Sequence, residues 1–167
     1  MNGRSVGAVV GAAFGCAWGV AGATALPVSW RVWGVVVSIG IFAALTAAHA
    51  LSRTPRASRI FRGRVYGIAV GLEVVGIVLV GWTLLHFSLS RFLLPAIGFV
   101  VGLHFLGLWK ATDLSLFSWT AIAMCLVCIV AAFLPGTTVT GGLDMRRIVT
   151  GLGCALVLWI ASTISLF

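Results

Sequence analysis

Apolar residues run along this chain in six long blocks, at 5–26, 32–51, 65–87, 92–109, 114–134 and 148–167. A helix rises about 1.5 Å per residue, so each block is close to the roughly 20 residues needed to cross a hydrocarbon core about 30 Å thick. The breaks carry turn or charge signals: LPVSWR at 26–31, SRTPRASRIFRGR at 52–64, SLSR at 88–91, KATD at 110–113 and PGTTVTGGLDMRR at 135–147. The pattern predicts an all-α integral membrane bundle, one transmembrane domain over 1–167 with six helices in three hairpins. The first block is longer than the roughly 7–15 apolar residues of a signal peptide and reads as a retained helix.

Composition sharpens this picture. With 61% hydrophobic and 8% charged residues in 167, the chain falls outside the range of soluble domains, and its solvent is lipid. The net charge of +8 would suggest nucleic acid for a soluble protein. Here the charges sit at the ends of apolar blocks, where they orient helices and meet anionic headgroups, so membrane lipid is the expected partner and nucleic acid is not.

Arg53, Arg56, Arg59, Arg62 and Arg64 form the densest basic cluster. Short basic loops stay in the cytoplasm, which puts both termini on the cytoplasmic side. Seven basic residues then lie inside, with Arg31, Arg91, Arg146 and Arg147 outside. The last two fit this poorly, and a five-helix arrangement with one interfacial segment is the alternative. Trp30, Trp33, Trp82, Trp109 and Trp119 fall near span ends, as an interfacial belt requires. GRSVGAVVG from Gly3 echoes GRVYGIAVG from Gly63, which suggests a two-helix repeat or chance matching among common residues.

In lipid, apolar burial does not drive helices together, and small residues serve to let backbones approach. Gly7, Gly11, Gly15 and Gly19 line one face of the first helix; the same spacing recurs at Gly67 and Gly71 and at Gly98 and Gly102. These faces predict close packing within the chain, the third helix against the fourth included, or a seam for a homo-oligomer or a partner membrane protein.

One acidic residue sits well inside a span: Glu73. A carboxylate in hydrocarbon must find a partner or stay protonated, which makes it the strongest pointer to function. It lies roughly 12 Å in from Val65, and His104 lies roughly 9 Å in from Lys110 on the descending fourth helix. Gly76 and Gly107 follow one turn on, leaving space for a side chain or water. A Glu–His pair of this kind exchanges a proton near neutral pH or simply locks two helices together.

His49 and His86 lie at other depths, so the histidines predict no metal or haem site, and no cofactor is expected. Cys125 and Cys128 form C-x-x-C inside an apolar helix, where cysteine reads as a small packing residue. Lys110 and Asp113 are placed to pair or to cap a turn at the interface. The chain carries no serine–histidine–acid set, phosphate loop or metalloprotease motif, so it does not read as an enzyme.

The stretch PAIGFVVGLHFLGL, at 95–108, resembles the V-G-L-H-F helix of small uncharacterised bacterial multi-spanning membrane proteins. The resemblance covers about one helix and implies a bacterial inner-membrane origin without a mechanism. The expected function is a carrier for protons or a small solute, coupled through Glu73 and His104. The other reading is an accessory, immunity or stress protein that binds lipid or a membrane partner through its glycine faces.

Overall fold

The computed structural model describes residues 3–51, 62–135 and 143–166, with the backbone alone at 3–8. Six α-helices follow one another: α1 (Gly3–Ala23), α2 (Val28–Leu51), α3 (Gly63–His86), α4 (Leu93–Thr112, entered through a 3₁₀ turn at Ser90–Phe92), α5 (Ser115–Phe133) and α6 (Met145–Ile164). Five of them are long and apolar enough to cross a membrane, and α1 contributes the apolar stretch Val9–Ala23. Arg53, Arg56 and Arg59 of the basic cluster lie outside the described residues.

Several helices extend past their apolar blocks because polar groups supply the ends. Pro27 cannot continue α1, and its carbonyl accepts the first bonds of α2, from the N–H groups of Trp30 and Arg31. Arg31 therefore lies inside α2, and its Nε donates 2.8 Å back to the carbonyl of Leu26. At α6 the side chain of Asp144 accepts from the Arg147 N–H at 3.2 Å, which caps the helix about one turn ahead of its apolar block. Helix α4 runs through Lys110, so most of the expected KATD break is helical, and it ends where Asp113 adopts a left-handed φ of 54°. Glycine holds that conformation without a Cβ penalty. Replacing Asp113 with Gly is expected to leave stability unchanged or raise it slightly, whereas Asp113→Ala loses about 1 kcal/mol. Thermal unfolding of the two variants in detergent measures the difference.

The helices divide into two compact units, one of residues 1–56 and 135–167, the other of residues 57–134. In the first, α1 lies between α2 and α6; in the second, α4 lies between α3 and α5. The expected pairing into three hairpins is corrected for the last two helices: α6 finds its partner in α1, and α5 in α4. Close backbone approach explains the first of these. A methyl group at Gly22 would lie 2.7 Å from the Leu152 nitrogen, and one at Gly151 would overlap the Gly22 backbone. The suggested two-helix repeat is not mirrored in the packing, because α1 has two neighbours in its unit and α3 has one.

The glycines of α1 face other helices. A methyl at Gly11 would come 2.9 Å from the Ser162 hydroxyl, at Gly15 2.6 Å from the Trp159 indole, and at Gly19 2.5 Å from the Ser38 hydroxyl. Gly7 lies in the segment described by backbone alone. The expected meeting of the α3 and α4 glycines is not formed. Gly67 and Gly71 are exposed with nothing within 4 Å, while Gly102 is buried against Cys125 and Met124 of α5, and Gly98 is also buried on α4. Helical geometry gives the reason: Gly67 and Gly71 lie roughly 120° to 180° round α3 from Ala69, Glu73 and Gly76, the residues that face α4. Small and sulfur-bearing side chains fill both interiors, Ala12, Cys154 and Ala155 in one unit, Ala69, Met124 and Cys128 in the other. Large apolar residues such as Leu72, Leu79, Trp119 and Phe133 point outward, as a lipid-facing surface requires.

Candidate functional site

Helices α3 and α4 are antiparallel, and three successive levels of contact fix their register. At the first, Ala69 fits against Gly107, where a methyl would lie 2.5 Å from its Cβ; at the third, Val100 fits against Gly76, where a methyl would lie 3.0 Å from Val100. Between them Glu73 and His104 meet, with Oε2 3.4 Å from Nδ1. Each helix thus carries the same local design, a small or β-branched residue four before the ionisable one and a glycine three after it. The two glycines remove the side chains that would hold the backbones apart, and the ionisable groups are forced together.

Glu73 lies about 15 Å along the axis from Gly63 and about 20 Å from His86, which is close to mid-span. Its side chain is 14% exposed and that of His104 is 9% exposed. The separation is within ion-pairing range, but the Nδ1 atom, which is buried, has no aligned hydrogen bond among the described residues. The imidazole stands edge-on to Phe105, with centroids 5.9 Å apart, and Phe105 stacks at 6.1 Å on Phe117 of α5. One face of the site is therefore closed by aromatic packing that ties in the third helix of the unit. Sequence reasoning left Gly76 and Gly107 as open space; Val100 and Ala69 occupy it.

The remaining candidates serve other places. His49 belongs to the α1–α2–α6 unit, where it is buried and its Nε2 donates 3.0 Å to the carbonyl of Ser162 near the C-terminus of α6. Asp113 pairs with Arg62 at 3.6 Å, and the Lys110 carbonyl accepts from Arg62 Nη1 at 3.4 Å. Arg62 also donates its backbone N–H to the Ala111 carbonyl at 3.0 Å. Thus Arg62, read only as part of a basic cluster, fastens the start of α3 to the end of α4. Its ion pair is more than half exposed on both sides, so the backbone bond carries more of the fastening. His86 stacks on Trp82 at 5.3 Å, and the Cys125 thiol points at the Phe99 carbonyl at 3.9 Å. Among the described residues, no three His, Cys, Asp or Glu side chains are grouped to hold a metal ion.

Compared with protein families, curated proteins and solved structures, the chain matches none. Function therefore has to be argued from the site. A carboxyl and an imidazole at this separation can pass one proton between them, and an imidazole can accept at one ring nitrogen while releasing from the other. Hydrocarbon outside α3 makes an unpaired charge at that depth expensive.

Proposed function

We propose that this membrane protein is a compact carrier or permeation protein for protons or a small solute, in which Glu73 and His104 form the coupling pair. The observation that carries this reading is the 3.4 Å juxtaposition of an intramembrane carboxyl and an imidazole close to mid-span. Intramembrane ionisable groups are costly and mark ion and proton pathways. A purely structural lock would be served by an aligned hydrogen bond, and the buried Nδ1 makes none among the described residues. The role assigned is binding and proton transfer without covalent catalysis. Arginine-rich 52–64 supports an orientation with both termini cytoplasmic, and the likeness of 95–108 to small bacterial multi-spanning proteins supports an inner-membrane location.

A second reading has its own observation. Gly67 and Gly71 leave a bare strip on the face of α3 turned away from α4, which suits an accessory protein that receives a membrane partner or a second copy there. The two readings differ in whether water reaches Glu73.

Labelling with a hydrophobic carbodiimide in native membranes separates them. The reagent adds to the protonated carboxyl, so a titrating Glu73 gives labelling that falls as pH rises, with a midpoint that moves in His104→Ala and no labelling in Glu73→Gln. Labelling that is absent at every pH, or indifferent to His104, would exclude the coupling pair and leave the accessory reading.

A further inference from the structure

The seam between α3 and α4 is closed on either side of the Glu73–His104 pair. Toward the N-terminus of α3, Ala69 fills the place of a side chain at Gly107; toward its C-terminus, Val100 does the same at Gly76. The helices abut at both levels, so a hydrated ion cannot follow the seam from either end to the pair. The pair is nevertheless not sealed, because the side chains of Glu73 and His104 remain 14% and 9% exposed. Leu72 and Leu103, one residue back on each helix, are well exposed. At this level the two helices therefore border directly on their surroundings, which close to mid-span are lipid chains. Approach to the pair is lateral, from the bilayer.

Charge decides what can use that approach. A carboxyl and an imidazole that share one proton are neutral overall, whichever of them holds it. Loss of that proton to water leaves a net negative charge in hydrocarbon, and uptake of a second leaves a net positive one, both of them costly. An occupant that takes the proton and stays keeps the site neutral, and a lipophilic tertiary amine does this. As the free base it is uncharged and dissolves in the bilayer. At the pair its nitrogen lone pair accepts the shared proton, so a new N–H bond forms as the O–H or N–H bond of the pair breaks and leaves its electrons behind. The products are an ammonium, a carboxylate and a neutral imidazole. The ammonium N–H then donates to a carboxylate oxygen, a charge-assisted bond. Oε2 is free to accept it, since His104 Nδ1 at 3.4 Å makes no aligned hydrogen bond. No enclosed cavity is needed, because the alkyl tail stays among lipid chains.

We infer, resting on the coupling-pair reading of Glu73 and His104, that the small solute is a lipophilic amine, admitted laterally from the bilayer and held on Glu73 as its ammonium.

Glu73 is the one glutamate of the chain, so carbodiimide addition to glutamate in the full chain, in native membranes, reports on this site alone. N,N-dimethyldodecylamine at about ten times its dissociation constant is expected to slow that labelling about tenfold, because amine-bound Glu73 has given up the proton the reagent needs. Dodecyltrimethylammonium and dodecanol, neither of which can take up the proton, are expected to leave the rate unchanged at equal concentration in the bilayer. In nanodiscs, saturable binding of the radiolabelled amine is expected in the wild type and lost in Glu73→Gln. Labelling that falls with rising pH and moves in His104→Ala, yet is untouched by the amine, would overturn this inference and leave the coupling pair standing. Equal protection by either control amphiphile would also overturn it. Labelling absent at every pH, or indifferent to His104, would instead remove the coupling pair and the inference with it.

Discussion

Replacing Gly151 with Ala is expected to cost about 3 kcal/mol, at the upper end of what an extra methyl costs in a packed interior. The added Cβ would overlap the backbone of Gly22. Backbone has no alternative rotamer, so α1 and α6 must separate along the contact, and the neighbouring fits of Gly15 on Trp159 and Gly11 on Ser162 loosen with it. Gly71→Ala is the matched control, because nothing lies within 4 Å of that position. There the methyl meets open space and the helix gains up to about 1 kcal/mol from the better propensity of alanine. Unfolding in mixed micelles with increasing denaturing detergent measures both. Equal stabilities of the two variants would mean that the α1–α6 approach is not the contact that holds this unit.

Removing His104 alone is the second large effect. His104→Leu leaves Glu73 without its partner close to mid-span, and breaking a buried pair from one side costs about 3 kcal/mol. Replacing both, with Glu73→Leu and His104→Leu together, removes the stranded group and recovers most of that loss. The single variant's deficit should shrink in acid, because a carboxyl that takes up a proton no longer carries a charge in hydrocarbon. A thermodynamic cycle over the wild type, both singles and the double, run at two pH values, gives the coupling. Additive losses would show that Glu73 and His104 are neighbours without being energetic partners.

The helices were legible because lipid imposes a length on them, and blocks of about 20 apolar residues can do little else. Their ends were less so. Arg31 and Lys110 were assigned to loops as charged residues, yet each lies inside a helix, with Arg31 folding back to a carbonyl and α4 running through Lys110 to its left-handed end at Asp113. The depth of Glu73 and His104 followed from counting residues along antiparallel neighbours, and counting placed them at the same level. What counting left open was the face. Gly67 and Gly71 have the spacing of a packing motif but lie on the side of α3 away from α4, whereas Ala69 and Val100 make the close fits and carry no such motif. The signal that could have found them was the matched spacing around the two ionisable residues, Ala69–Glu73–Gly76 on one helix and Val100–His104–Gly107 on the other. Nothing in the local sequence of α6 names α1 as its partner, because a contact between distant segments leaves no mark in either alone.

That long-range contact bears on how the protein is made. Helices α3, α4 and α5 are consecutive, so their unit has all its parts as soon as residue 134 has left the ribosome. Helices α1 and α2 are synthesised first but lack the neighbour that covers the glycine face of α1 until α6 emerges. During that interval, a glycine face that later packs backbone against backbone stands open in the bilayer. Nascent chains halted before α6 should therefore be the ones captured by insertion chaperones or cleared by membrane proteases.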